Sequence, residues 1–183
     1  MSVVYKLSNE GRLLDIIDSQ LEALDPSYLY TDVAPPSGIY KPLFLLDRKV
    51  WIDEIYQPGY IIDAELLSMI KNSKRMELES ACDHAIEFGF TSKINNHNYR
   101  LRLDDQVNFL GQKELLSNDK GSTVSVMWKT EDQGYISHTR EEWLKVFAEG
   151  LQFKRDVLLK YNSLMVSLEK ATTAHEVDVI KWN

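Results

Sequence analysis

A single apolar stripe, about eight helical turns long, limits the folds open to this chain more than any other feature. Thr139 and Glu142 precede it with the spacing of a capping box, which satisfies free backbone amides at the start of a helix. Behind them, apolar residues recur at the three- and four-residue spacing of one helix face; these are Trp143, Val146, Phe147, Leu151, Val157, Leu158, Tyr161, Leu164 and Leu168. The sequence therefore predicts a long helix with one buried face.

A second long helix is predicted from Asp63 to Gly89. Asp63 can cap the first turn with its carboxylate, and Gly89 suits the left-handed conformation that often follows the last turn. Between them the apolar residues again keep helical spacing; they are Leu66, Leu67, Ile70, Met76, Ala81, Ala85 and Ile86.

A small β-rich insert is expected between the two long helices. Residues 90–94 and 99–103 have the composition of strands and flank the polar loop 95–98. Asp104 then has the position of a cap for a short helix that carries Val107 and Leu110.

A β-hairpin should follow that short helix. Residues 122–128 alternate, with Val124, Val126 and Trp128 on one face, and the turn at 130–134 returns the chain into Tyr135–Ile136.

A second capping box, formed by Thr173 and Glu176, predicts a short final helix that leads to Trp182. An exposed tryptophan in a free tail is unfavourable. We therefore expect Trp182 to dock onto the two long helices.

The first third of the chain has a different character. Residues 11–24 place Leu13, Ile16, Ile17, Leu21 and Leu24 at helical spacing, and Asp25–Pro26 should end that helix.

Residues 28–55 are rich in aromatic residues and prolines. We expect a polyproline-like entry at 34–36 and a hairpin with strands at 39–45 and 49–55. Gln57–Pro58–Gly59 is a turn and a domain boundary. The predicted fold is α+β, with a helix and aromatic hairpin module over residues 1–60 and a helical α+β domain over residues 61–183, which should fold alone.

Composition excludes several classes of partner. The 183 residues are 44% hydrophobic and carry a net charge of −7, with no basic cluster to attract a phosphate backbone, so nucleic acid is not an expected partner. The single cysteine, Cys82, rules out an internal disulfide framework and suits a reducing cytoplasm. Neither a transmembrane stretch nor a signal peptide is apparent, so we expect no membrane insertion.

The residues that could carry chemistry favour a protein without catalysis, metal or cofactor. Cys82 and His84 lie two positions apart on a predicted helix, so they point in different directions and cannot form a ligand pair. His138 stands at a strand-to-helix corner, where a packed or hydrogen-bonded role is favoured over that of a base. The acidic pairs Asp104–Asp105 and Glu141–Glu142 fall at predicted helix starts, where they cap and complement the helix dipole.

Two groups of residues remain as candidates for binding. Gln106 and Asn108 are amides that we expect to bond backbone in a turn, with ligand binding as the alternative. The aromatic segment is the stronger candidate, because rigid tyrosine, tryptophan and proline side chains are typical of recognition surfaces. A small aromatic core is the equally weighted alternative. The proposed partner-binding residues are Tyr28, Tyr30, Pro35, Pro36, Tyr40 and Trp51.

A family resemblance gives these patterns a context. Five short motifs occur in order at 81–90, 104–108, 128–131, 138–142 and 180–182. This order resembles an uncharacterised domain encoded among bacteriophage tail genes, and the resemblance covers roughly residues 74–183. The motif residues, to which we assign structural roles, are Gln106, Asn108, Trp128, His138, Thr139 and Trp182. Segments 31–42 and 50–54 also resemble a short region of phage tail-fibre assembly proteins.

The resemblance implies a phage tail accessory protein, most simply an assembly chaperone that binds a tail-fibre or receptor-binding protein in the cytoplasm of the host bacterium. One alternative is a component of the baseplate or tail fibre that stays in the virion. The other is a phage enzyme that acts on the cell wall or its glycopolymers.

Overall fold

The computed structural model describes residues 3–183, which fall into two compact units. The first contains the chain up to Ile70 together with Ala171–Val179, and the second contains Lys71–Lys170 together with Ile180–Asn183. Both combine helices with small antiparallel sheets, so the predicted α+β class is confirmed. The predicted boundary after residue 60 stays a prediction.

The first unit is mainly β-structure. Its strands are β1 (Val3–Leu7), β2 (Leu13–Asp18), β3 (Leu29–Thr31), β4 (Pro42–Leu45) and β5 (Val50–Asp53). β1 lies between β2 and β3 in one antiparallel sheet, and β4 pairs with β5 in the predicted aromatic hairpin. A 3₁₀ turn at Glu54–Tyr56 follows, and the short helix that we number α4 (Ala174–Asp178) contacts this turn.

The helix predicted over residues 11–24 is wrong, because residues 13–18 form strand β2. Gly11 adopts a φ of +89° and its amide donates to the Ser8 carbonyl, so a tight turn leads the chain back along β1. The ladder with β1 then satisfies the backbone of residues 13–18, which a helix would have satisfied internally. Asp25–Pro26 accordingly ends no helix. The turn signal at residues 8–11 should have outweighed the apolar spacing.

The second unit is built on long helices. α1 (Ala64–Phe88), whose first turns belong to the first unit, and α3 (Arg140–Lys170) confirm the two predicted long helices. α2 (Leu103–Asn118) is longer than the predicted short helix. Asp104 is not its cap: the helix begins at Leu103, and it is the Asp105 carboxylate that accepts from the Arg102 amide.

Two hairpins complete the insert. β6 (Phe90–Thr91) and β7 (Asn98–Tyr99) are shorter than predicted. β8 (Ser125–Thr130) and β9 (Gly134–Thr139) confirm the predicted hairpin, although β8 begins three residues later than predicted and both strands extend into the predicted turn. Val126 is buried on the inner face of β8, but Val124 precedes the strand and is exposed, so its predicted place on that face is wrong.

An aromatic cluster forms the core of the second unit. Trp143 is fully buried, with ring centroids 5.7 Å from both Phe109 and Phe147 and 5.2 Å from Trp128. Its indole nitrogen is the one buried side-chain nitrogen or oxygen without a hydrogen-bond partner among residues 3–183.

Candidate functional site

The aromatic segment of the first unit divides into a buried and an exposed part. Trp51 is 9% exposed, its indole N–H donates to the Val33 carbonyl over 2.8 Å, and its ring packs on Phe44 at 5.1 Å. Together with Leu7 these two rings form a hydrophobic core cluster of the unit. The expectation of an exposed Trp51 is therefore corrected: this residue belongs to the aromatic core that was the alternative interpretation.

The other proposed contact residues lie nearer the surface. Tyr28, Pro36 and Tyr40 are exposed, whereas Tyr30 and Pro35 are partly buried. The Lys6 ammonium lies 3.7 Å from the centroid of the Tyr28 ring, in a cation–π contact. The Tyr30 hydroxyl donates a hydrogen bond to the Asp25 carbonyl. Their binding of a partner stays a prediction.

Strand β2 adds apolar surface that the sequence did not predict, because it was interpreted as a helix. β2 is an edge strand, and its Leu14 and Ile16 side chains are 51% and 58% exposed. Leu21, just beyond the strand, is also exposed. Exposed apolar edge strands favour pairing with another chain.

An ion pair lies at the start of strand β2. The Arg12 guanidinium contacts the Glu54 carboxylate, with 2.7 Å between Nη2 and Oε1, and joins the start of β2 to the 3₁₀ turn. The hydrogen bond from Arg12 lowers the pKa of Glu54, so this carboxylate stays ionised. The ion pair therefore links the residue before β2 to the 3₁₀ turn, and Leu14 and Ile16 remain exposed.

The family-like motif in α2 has mostly local roles. Gln106 donates from Nε2 to the Leu101 carbonyl over 2.7 Å, which confirms the expected bond to backbone. Its Oε1 accepts a hydrogen bond from the Lys154 ammonium on α3, a contact between residues distant in sequence that was not predicted. Asn108 is exposed.

A polar network surrounds His138 at the junction of β9 and α3. Its fully buried ring places Nδ1 3.3 Å from the Glu142 carboxylate and Nε2 3.5 Å from the Tyr99 hydroxyl. Asn95 donates from its amide to both Glu142 and Tyr99 over 2.8 Å. Burial raises the pKa of Tyr99 to about 12, and the hydrogen bond from Asn95 lowers that of Glu142.

This network ties the β6–β7 loop to α3. His138 is packed and hydrogen-bonded at a strand-to-helix corner, as expected, and Thr139 Oγ1 accepts from the Glu142 amide over 3.1 Å at the start of α3. Sequence reasoning missed Asn95, although the run of polar residues at 95–98 was its signal. It also missed Glu149, which accepts from the Ser92 hydroxyl over 2.5 Å.

The two remaining tryptophans of the motif set pack in the second unit. Trp128 lies 4.7 Å from the Phe109 ring. Trp182 is partly buried against the same core, and the Lys160 ammonium lies 4.4 Å from its ring centroid. The predicted docking of Trp182 is confirmed.

The residues considered for metal or acid–base chemistry lie in ordinary surroundings. Burial raises the pKa of the Cys82 thiol, and His84 stacks on Phe88. Glu141 forms an exposed ion pair with Lys145. Within the described part of the chain, no group of three or more His, Cys, Asp and Glu side chains could hold a metal ion. None of the helices in residues 3–183 has the length and apolarity needed to span a bilayer.

Comparison with known proteins identifies a family. The family model described as "Domain of unknown function (DUF4376)" matches residues 69–181, which include α2, α3 and the β8–β9 hairpin. No curated protein and no solved structure matches this chain.

Proposed function

Because this chain belongs to the family described as a domain of unknown function (DUF4376), whose description states no activity, we propose its function from its surface and from its resemblance to phage tail proteins. It is a phage tail accessory protein. It acts as an assembly chaperone that binds a tail-fibre or receptor-binding protein in the cytoplasm of the host bacterium.

The observation that carries this proposal is the apolar surface that the first unit exposes on β2 and at Tyr40. Leu14, Ile16 and Tyr40 expose about half of their side chains. The Arg12–Glu54 ion pair joins the start of the strand that carries the first two to the 3₁₀ turn. The backbone amide of Tyr40 donates a hydrogen bond to the Asp53 carboxylate over 2.8 Å, which fixes the backbone at this position.

Exposed apolar side chains on an edge strand suit a chaperone of this kind. A fibre chain that has not yet trimerised exposes apolar surface and unpaired strand edges, which an edge strand with outward-facing Leu and Ile can cover. This surface therefore supports recognition of an unassembled β-rich partner.

Co-expression tests the proposal. A phage tail-fibre or receptor-binding protein should yield more soluble trimer, measured by size-exclusion chromatography, when it is expressed together with this chain. The variant Leu14→Thr, Ile16→Thr, Tyr40→Ser should lose that gain. Trp51 is left intact, because replacing a core residue would unfold the unit and remove the contact indirectly.

A matched control replaces three exposed apolar residues of the second unit, with the changes Val124→Thr, Met127→Thr and Tyr135→Thr. This control should keep the full gain in trimer. Equal trimer yield with and without the chain would refute the chaperone role. Finding it stoichiometrically bound in finished virions would favour a retained component of the baseplate or fibre, and turnover of cell-wall glycopolymers would favour an enzyme.

A further inference from the structure

An apolar groove lies between α2 and α3, wholly within the second unit. Its volume is about 110 Å³, and its lining includes the buried rings of Phe109 and Phe147 and the half-exposed side chains of Leu110 and Leu151. An apolar cavity of roughly 150 Å³ holds a benzene molecule. The groove is smaller than such a closed cavity but is open to solvent, so it can take one large apolar side chain that stays partly exposed.

One positive charge lies in this apolar lining. Lys154 is the charged residue among the groove's lining residues, and none of them is acidic. Its ammonium donates to the Gln106 side-chain oxygen, and Gln106 is itself fixed by its bond to the Leu101 carbonyl. An amide oxygen carries no formal charge, so this contact positions the ammonium without neutralising it.

The exposed face of α2 extends the apolar surface beyond the groove. Leu103, Val107 and Leu110 follow one another at spacings of four and three, on one face of the helix, and are 75%, 59% and 57% exposed. A ligand that fills the groove therefore has further apolar surface beside it, which suits a polypeptide better than a small molecule.

We propose that this groove binds a segment of a partner protein that inserts one large apolar side chain and places an adjacent carboxylate on Lys154. We infer the carboxylate from charge complementarity. It supplies the negative charge that the Gln106 amide lacks, and it can form a charge-assisted hydrogen bond with the Lys154 ammonium. Gln106 is a positioning residue in this site. The site is separate from the apolar surface of the first unit and does not depend on the partner of that surface.

Two small probes of matched shape test the proposal. N-acetyl-L-phenylalanine joins an apolar side chain to a carboxylate, and N-acetyl-L-phenylalaninamide replaces that carboxylate by a neutral amide. Titration of the full chain, followed by amide ¹H–¹⁵N chemical shifts, should perturb residues of α2 and α3 around Leu110 and Leu151. The acid should bind more tightly than the amide.

Variants of Lys154 separate charge from shape. Lys154→Gln should weaken the binding of N-acetyl-L-phenylalanine about fivefold, as expected for loss of a partly exposed ion pair. The affinity for N-acetyl-L-phenylalaninamide should not change. Lys154→Arg should retain the preference for the acid. Lys145→Gln, on the same helix but outside the groove, should bind both probes as the unaltered chain does, and the dispersion of each spectrum verifies that each variant is folded.

Several results would overturn the proposal. These are equal affinity for acid and amide, an unchanged acid affinity in Lys154→Gln, or perturbations that lie outside α2 and α3. Tighter binding of hexanoate than of N-acetyl-L-phenylalanine would assign the groove to a fatty acid. Groove shifts that grow with protein concentration in the absence of a probe would assign it to a second copy of the chain.

Discussion

Arg140 at the start of α3 donates to Asp119 just after the end of α2, with 2.7 Å between Nη1 and Oδ1. The same guanidinium also donates to the Leu116 carbonyl in the last turn of α2. One side chain thus pairs with the residue after α2 and satisfies a free carbonyl of that helix, and it joins two helices that the β8–β9 hairpin separates in sequence.

Asp119 should make stability depend on acid pH. Hydrogen bonds from Thr123, Gly121 and Arg140 lower the pKa of Asp119 below its ordinary value of 3.8. The folded state therefore binds this proton less readily than the unfolded state, so the stabilisation is present above pH 3.8 and is lost as pH falls further. Near neutral pH, Asp119→Asn should be less stable than the unaltered chain. Below pH 3.8 it should lose less stability than the unaltered chain does. Urea unfolding at a series of pH values measures both effects.

Asp47→Asn, an exposed change in the β4–β5 turn, is the control for that series and should follow the unaltered chain. If Asp119→Asn lost stability in acid as steeply as the unaltered chain, the Asp119 carboxylate would not be the group responsible.

Gly89 should tolerate no side chain. Its φ is +86°, and a Cβ there would lie 1.9 Å from the Tyr99 carbonyl oxygen, so Gly89→Ala adds a clash with backbone to a strained conformation. We expect a loss of more than ~3 kcal/mol in unfolding free energy, from the left-handed strain and the forced shift of β7. Gly121→Ala is the matched control, since its φ is +85° but nothing lies within 4 Å.

The control isolates the conformational strain, which should cost about 1–2 kcal/mol. Chemical denaturation compares the two variants. Equal losses would show that Tyr99 moves aside without penalty.

Trp182 should contribute to the stability of the second unit. Trp182→Ala removes a half-buried ring and its contact with the Lys160 ammonium, and we expect a loss of about 2 kcal/mol, below the 3–5 kcal/mol of a fully buried tryptophan. Thermal melting measures the shift. Leu159→Ala, an exposed change on α3, should alter the midpoint little. A Trp182→Ala melt that matches the control would mean that the docked ring adds no stability.

The fragment 61–183 should unfold cooperatively but with an altered C-terminal segment. In the full chain His175 Nδ1 lies 3.0 Å from the Tyr56 carbonyl and Val177 is fully buried, so removal of residues 1–60 deprives α4 of its 3₁₀ partner. We expect a cooperative denaturant transition together with increased binding of a hydrophobic dye. A molten or aggregated fragment would place the true boundary elsewhere.

The sequence by itself determined the long helices and where they begin, because the signals are local. Asp63 caps α1 through its side chain, which accepts from the Leu66 amide over 2.8 Å. Thr139 accepts from the Glu142 amide, and Thr173 and Glu176 form the predicted reciprocal box. Each bond spans three residues, so the chain's own spacing is sufficient to predict it.

Tertiary structure decided what depended on distant partners. Residues 13–18 are an exception, because the turn at residues 8–11 pairs them with the adjacent strand β1, and this ladder outweighed an apolar spacing that also suits a helix. Trp51 became core because Phe44 and the Val33 carbonyl surround it. The Lys154–Gln106 contact joins positions 48 residues apart, and no local pattern encodes it. Such contacts form only when folding brings separate elements together. A single sequence therefore indicates which residues are candidates but does not predict their tertiary contacts.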